Sequence, residues 1–182
     1  MFGLFKKKED GITVTDKVVI SEEAKLAILL KTWNNDRNTV FAFWFEDSLE
    51  EATAYFSQHT TEALPLLLVR ELTGGQRAGR NPVFAEHYPL RKKETELYQQ
   101  LGLEKAIVYS SLREPLFQQF GGDKIVQVMK QMGMKEDELI EHSMISSAIK
   151  KAQEKIEART GIEQTARSQK DWIEKNYTPL NA

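Results

Sequence analysis

The sequence predicts an α/β fold: a small, mostly parallel sheet of about four strands flanked by helices, followed by a long C-terminal helical extension. Three observations carry this. Thr39 to Phe45 (TVFAFWF) is an unbroken apolar, β-branched and aromatic run, the pattern of a strand covered on both faces. Shorter apolar runs recur downstream and alternate with helical patterns, which favours parallel strands joined by crossover helices. The last third has no strand pattern. There Ile140, Met144, Ile145, Ala148, Ile149, Ala152 and Ile156 follow helical spacing along one stripe.

In chain order, Met1 to Asp10 carries Phe2, Leu4 and Phe5 ahead of three lysines and is expected to be a flexible terminus. Aromatics beside lysines also allow a weak contact with a membrane surface. The run from Ile12 to Ile20 reads as a strand. Ser21 is an N-cap ahead of Glu22 and Glu23, opening a helix through Ala24 to Trp33. Thr39 to Phe45 is counted as the first strand of the sheet, and Leu49 to Gln58 follows as a helix. Leu66 to Val69, Val83 to Ala85 and Ile107 to Tyr109 supply the other three. This alternation is the RecA-like pattern. From Leu116 onward the chain reads as helix, and the last helix is expected to run past about thirty residues, with Gly161 as an interruption. The division expected is residues 1–115 as the α/β domain and 116–182 as the extension.

Composition narrows the function. The net charge of −2 gives no basic surplus for nucleic acid or anionic lipid. The absence of cysteine excludes disulfides, thiolate ligands and cysteine nucleophiles. Three scattered histidines have no metal spacing. No apolar run reaches the ~20 residues of a membrane helix, and MFGLFKKK has the wrong order for a signal peptide, so a cytoplasmic location is expected.

One long stretch carries a resemblance. Ser111, Leu112, Glu114, Leu116, Phe120, Gly121, Leu139 to His142, Met144, Ala148, Ile149, Ala152, Gln153, Lys155 and Glu157 form an ordered series of landmarks. In that order it resembles the SecA preprotein translocase motor, where the second RecA-like motor domain passes into the helical scaffold. The resemblance implies a motor ancestry and, for 116–182, a scaffold-helix segment. It does not bring the motor's chemistry with it. No G-x-x-x-x-G-K-S/T loop is present, and the one Gly-rich stretch, Thr73 to Arg80 (TGGQRAGR), lacks the Lys-Ser/Thr pair, so it reads as a loop. In Ala85 to Gly102, Glu86, Arg91 and Lys92 match the family's segment in type, but the two motif arginines fall on Tyr98 and Gln100. Neither replacement carries the charge that stabilises a phosphoryl transition state.

Two functional readings remain. The first is a non-catalytic SecA-like module that binds a protein partner or itself, through Met144, Ile145, Ile149 and Ile156 on the extension, without a cofactor. The second is a nucleotide- or phosphate-binding domain at the carboxyl ends of the strands, where open α/β sheets bind ligands. Its candidate residues are Glu46, Asp47, Glu86, His87, Arg91, Lys92 and Ser111, with Glu86 and His87 as an acid/base pair or His87 and Arg91 on a phosphate.

Overall fold

The computed structural model describes residues 11–72, 79–131 and 133–177. The expectations for Met1 to Asp10 and for the Thr73–Ala78 part of the Gly-rich stretch lie outside those residues. Five strands form the sheet: β1 (Thr13–Val19), β2 (Thr39–Phe43), β3 (Leu66–Leu68), β4 (Asn81–Phe84) and β5 (Lys105–Ser111). Their order across it is β1-β5-β4-β2-β3, and every pairing is parallel. The sheet thus has one strand more than the sequence count. The extra one is the run Ile12 to Ile20, which joins at the edge as β1 alongside β5.

The crossover helices sort by direction. From β1 to β2 and on to β3 the chain moves one way, and α1 (Glu22–Asn35) and α2 (Glu46–His59) cover one face with Leu26, Leu29, Trp33, Ala52 and Phe56. From β3 through the turn α3 (Val69–Glu71) to β4 and β5 it moves back. Leu97 and Tyr98 of α4 (Arg91–Gln100) then cover the opposite face, over Val40, Ala42, Phe84 and Val108. Right-handed crossovers require this arrangement. Ser21 caps α1 as expected, its hydroxyl accepting from the Ala24 N–H at 3.2 Å. Gly102 takes a left-handed φ of 65° to end α4.

The C-terminal third is four helices: α5 (Pro115–Gln118), α6 (Gly122–Gln131), α7 (Ser143–Glu157) and α8 (Gln169–Asn176). The expected helix of more than thirty residues is therefore two. α7 has 15 residues, and the chain turns back after it into α8, whose N-cap Ser168 accepts from the Asp171 N–H. The apolar spacing persists through the break because Trp172 and Ile173 of α8 enter the same cluster as Ile149, Ala152 and Ile156 of α7. That cluster also takes in Val18 and Ile20, so the helices bury their stripe against the sheet's own edge. Each large apolar side chain buried there contributes about 1.5–3 kcal/mol. No helix among the described residues is long and apolar enough to cross a membrane.

The α5–α6 corner is tight. A Cβ on Gly122 would lie 2.8 Å from the Leu112 carbonyl oxygen and 3.0 Å from the Phe117 carbonyl carbon, both backbone atoms that cannot swing away. Gly122→Ala is expected to destabilise by about 1–3 kcal/mol in urea denaturation. Gly161→Ala, with nothing within 4 Å, is expected to leave the midpoint in place.

Candidate functional site

The strands' carboxyl ends are where an open parallel sheet offers a ligand crevice, at the point where neighbouring strands send their helices to opposite faces. Here that point lies between β2, which leads into α2, and β4, which leads into α4. Glu86 fills it. Its Oε1 accepts from the backbone N–H groups of Trp44 (2.9 Å) and Phe45 (3.0 Å), and its Oε2 accepts from the Ser48 hydroxyl at 2.7 Å. These donors lie at the turn from β2 into α2: Trp44 precedes the helix, Phe45 is its N-cap and Ser48 is in its first turn. Only 2% of Glu86 is exposed. Burial raises its pKa, against the pull of Lys25, Ser48 and the two N–H groups.

His87, one residue on, points to the other face, because successive side chains at a strand end alternate. It lies 2% exposed between two carboxylates. Nδ1 donates to Glu94 Oε1 at 2.9 Å and Nε2 to Asp16 Oδ1 at 3.1 Å. Burial disfavours the imidazolium, yet Glu94 and Asp16 together push it up to about 10. Burial would raise Asp16, but the hydrogen bond and charge of His87 hold it below the usual carboxylate range. Gln153 of α7 completes the cluster by donating to Glu94 Oε2 and to the Tyr88 carbonyl, both at 2.8 Å. The expected pairing of Glu86 with His87 is thus corrected: the two lie on opposite faces, and both His87 nitrogens are occupied. Arg91 shares the His87 side, lining with Asp16, Tyr98 and Ser146 a cavity of ≈ 370 Å³ between β1, α4 and α7.

The remaining candidates are dispersed. Glu46 pairs with Arg70 at 2.9 Å, and Asp47 with Arg167 at 3.1 Å, which ties the start of α2 to the segment before α8. Lys92 points outward and pairs with Glu96. Ser111 donates to Glu22 Oε1 at 2.6 Å, and its N–H donates to Glu114 Oε1 at 3.0 Å. On the extension, Met144 is 73% exposed and Ile145 half-buried, whereas Ile149 and Ile156 are core residues, the latter with no exposed surface. The expected interaction stripe is corrected on those two positions, because α7 lays it against β1 and α4.

Sequence reasoning missed Lys25 and Glu114. Lys25 looks like a surface residue of an amphipathic helix. It is buried and binds Glu114 Oε1 at 2.7 Å and Glu22 Oε2 at 2.8 Å. Burial opposes its charge, and Glu114 and Glu22 more than restore it. Burial lifts Glu114 to about 7 despite Lys25. These groups line a second cavity of ≈ 200 Å³ at the carboxyl edge, with Asp47, Ser48, Glu51 and Glu86. α8 closes one side of this edge: Gln169 donates to the His87 carbonyl (2.9 Å) and accepts from the Leu116 N–H (2.7 Å), and Trp172 packs edge-on against Tyr88. No group of three or more His, Asp or Glu side chains among the described residues is placed to hold a metal ion.

The His87 cluster makes a prediction. Its folded pKa stands above the unfolded value of about 6.5, so its contribution is complete below that pH and is lost as the pH rises through about 10. His87→Gln is expected to destabilise by about 3–5 kcal/mol at pH 6. In urea titrations, the gap between the two proteins should close as pH approaches 10; a gap independent of pH refutes the ion cluster.

Part of this chain is similar to known proteins. It is 38% identical over 88 residues to the protein translocase subunit SecA of Acinetobacter baumannii, and 33% identical over 88 residues to SecA 1 of Alkaliphilus metalliredigens. Over 51 residues it is 53% identical to the SecA of Acinetobacter baylyi. The longer matches take in 46% of this chain but 10% of either relative, so the chain spans about a tenth of the proteins it resembles. No family model matches it. The chain therefore has partial homology to SecA.

Proposed function

We propose that this protein is a non-catalytic, SecA-like polypeptide-binding module linked to protein export. The single observation that carries the reading is the occupancy of the carboxyl-edge crevice by the chain itself. Glu86 takes the N–H groups of Trp44 and Phe45 at the turn from β2 into α2 and the Ser48 hydroxyl of its first turn, and α8 packs beside them. Five carboxylates against three basic residues line what is left of the crevice, a balance that disfavours phosphate. The motif arginines of the family stand here as Tyr98 and Gln100, and Tyr98 is buried against Phe84. Within this reading the stretch Ser111 to Glu157 descends from the passage between motor domain and scaffold. Its helices have folded back to stabilise a reduced domain instead of reaching across a larger one. The translocase named in the comparisons is the partner that the similarity favours.

Isothermal titration of the purified chain with ATP and ADP in the presence of magnesium is expected to give no heat of binding. Light scattering of the chain mixed with SecA of its own organism is expected to show a complex. Micromolar nucleotide binding overturns the non-catalytic reading. A chain that stays monomeric and forms no complex with SecA overturns the link to export.

A further inference from the structure

The ≈ 200 Å³ cavity at the carboxyl edge is reversed in charge relative to the anion site that such an edge usually supplies. Five carboxylates line it: Glu22, Asp47, Glu51, Glu86 and Glu114. Three basic residues line it too, and each has an acidic partner. Lys25 is bound by Glu22 and Glu114, Arg113 pairs with Asp123 at 2.7 Å, and Lys170 pairs with Glu174 at 3.9 Å. Asp47 is tied to Arg167, and both Glu86 oxygens already accept hydrogen bonds. Two acceptors remain. Glu51, on the exposed rim, has no ion pair among the described residues. Glu114 is only 4% exposed, and its buried Oε2 has no hydrogen-bond partner, a state that carries a desolvation penalty unless a donor arrives.

We infer that this cavity binds a protonated ammonium or guanidinium group on an alkyl stem, held between Glu114 Oε2 and the Glu51 carboxylate. Its volume is below the about 300 Å³ at which sites for whole small molecules begin, which suits the end of a chain. The apolar stem has Leu26, Phe43 and Pro115 to lie against. A lysine or arginine side chain of a polypeptide meets this description, and so does a free alkylamine. Only the choice of a polypeptide as source rests on the proposed function; recognition of the cation does not.

The test is titration of the full chain, followed by amide chemical shifts, with two probes: n-butylammonium and a capped pentapeptide holding one central lysine. A norleucine analogue of the peptide is the uncharged control. Saturable shifts centred on Phe43, Glu51 and Glu114 are expected with at least one charged probe and not with the control. Response to the peptide alone assigns a polypeptide side chain; response to butylammonium alone assigns a free amine. Glu114→Gln is expected to weaken binding about tenfold or more, the value of one charge-assisted bond. Glu51→Gln, on the exposed rim and without risk to folding, is expected to weaken it severalfold. Glu96→Gln on the outer face of α4 should leave it unchanged. Absence of saturable shifts overturns the inference, as does binding that Glu51→Gln leaves intact. Loss of the translocase complex with cation binding retained refutes the proposed function alone.

Discussion

Two consecutive residues at the end of β4 constrain most of this molecule. The alternation of a strand sends Glu86 to one face of the sheet and His87 to the other, and both are buried ionisable groups that need partners there. Glu86 obtains its partners from the start of α2, which fixes β2, α2 and β4 against each other. His87 obtains its partners from β1 and α4, and through Glu94 from Gln153 of α7. The carbonyl of His87 also accepts from Gln169 of α8. A single dipeptide thereby links the sheet, both helical layers and the C-terminal return. Removing one member of such a network leaves a buried group unpaired, which is costlier than never having had the network.

The same dipeptide sets the chemistry of the carboxyl edge. Donors at and just before the start of a helix attract an anion, and the internal Glu86 carboxylate satisfies those of Trp44, Phe45 and Ser48 without a ligand. Once Glu86 is in place, every further group near it feels a negative neighbour. Lys25 is buried in ion pairs with Glu114 and Glu22, and its charge also acts on Glu86. The outcome is a polar interior that is nearly but not fully satisfied, with one Glu114 oxygen left over. On the opposite face the tally is similar: the His87 cluster leaves the buried Tyr98 hydroxyl without a partner.

The fold was legible where local physics decides it. The TVFAFWF run, the Ser21 cap and the alternation of strand and helix each followed from periodicity and capping, and all three stand in the structure. The edge strand β1 was visible as a run but not as a member of the sheet, because its partner β5 lies some ninety residues away. The candidate site was legible only as a location. Glu46, Asp47, Glu86 and His87 all follow the carboxyl ends of strands, but they face different cavities. Which way each points depends on register and on the partner that tertiary structure supplies, and neither Lys25 nor Glu114 carries a local signal of its burial. Helical spacing marked Ile149 and Ile156 as apolar; it could not say whether the sheet or a partner covers them.

The returning α8 completes the packing of the C-terminal helices. Up to Glu157 the chain keeps the order of landmarks that resembles SecA, and α7 is a regular amphipathic helix. Beyond it come Thr160, Gly161 and a polar stretch to Ser168, whose hydroxyl caps a new helix. Had α7 continued straight, its apolar stripe beyond Ile156 would have left the sheet behind and required another surface. By turning, the chain brings Trp172 and Ile173 onto that stripe and Gln169 onto His87, so one segment completes the core and closes the edge of the crevice together. Burial of the α7 stripe and closure of one side of the carboxyl edge are then two consequences of one packing solution. A variant that moved α8 off this edge would have to give up part of the core.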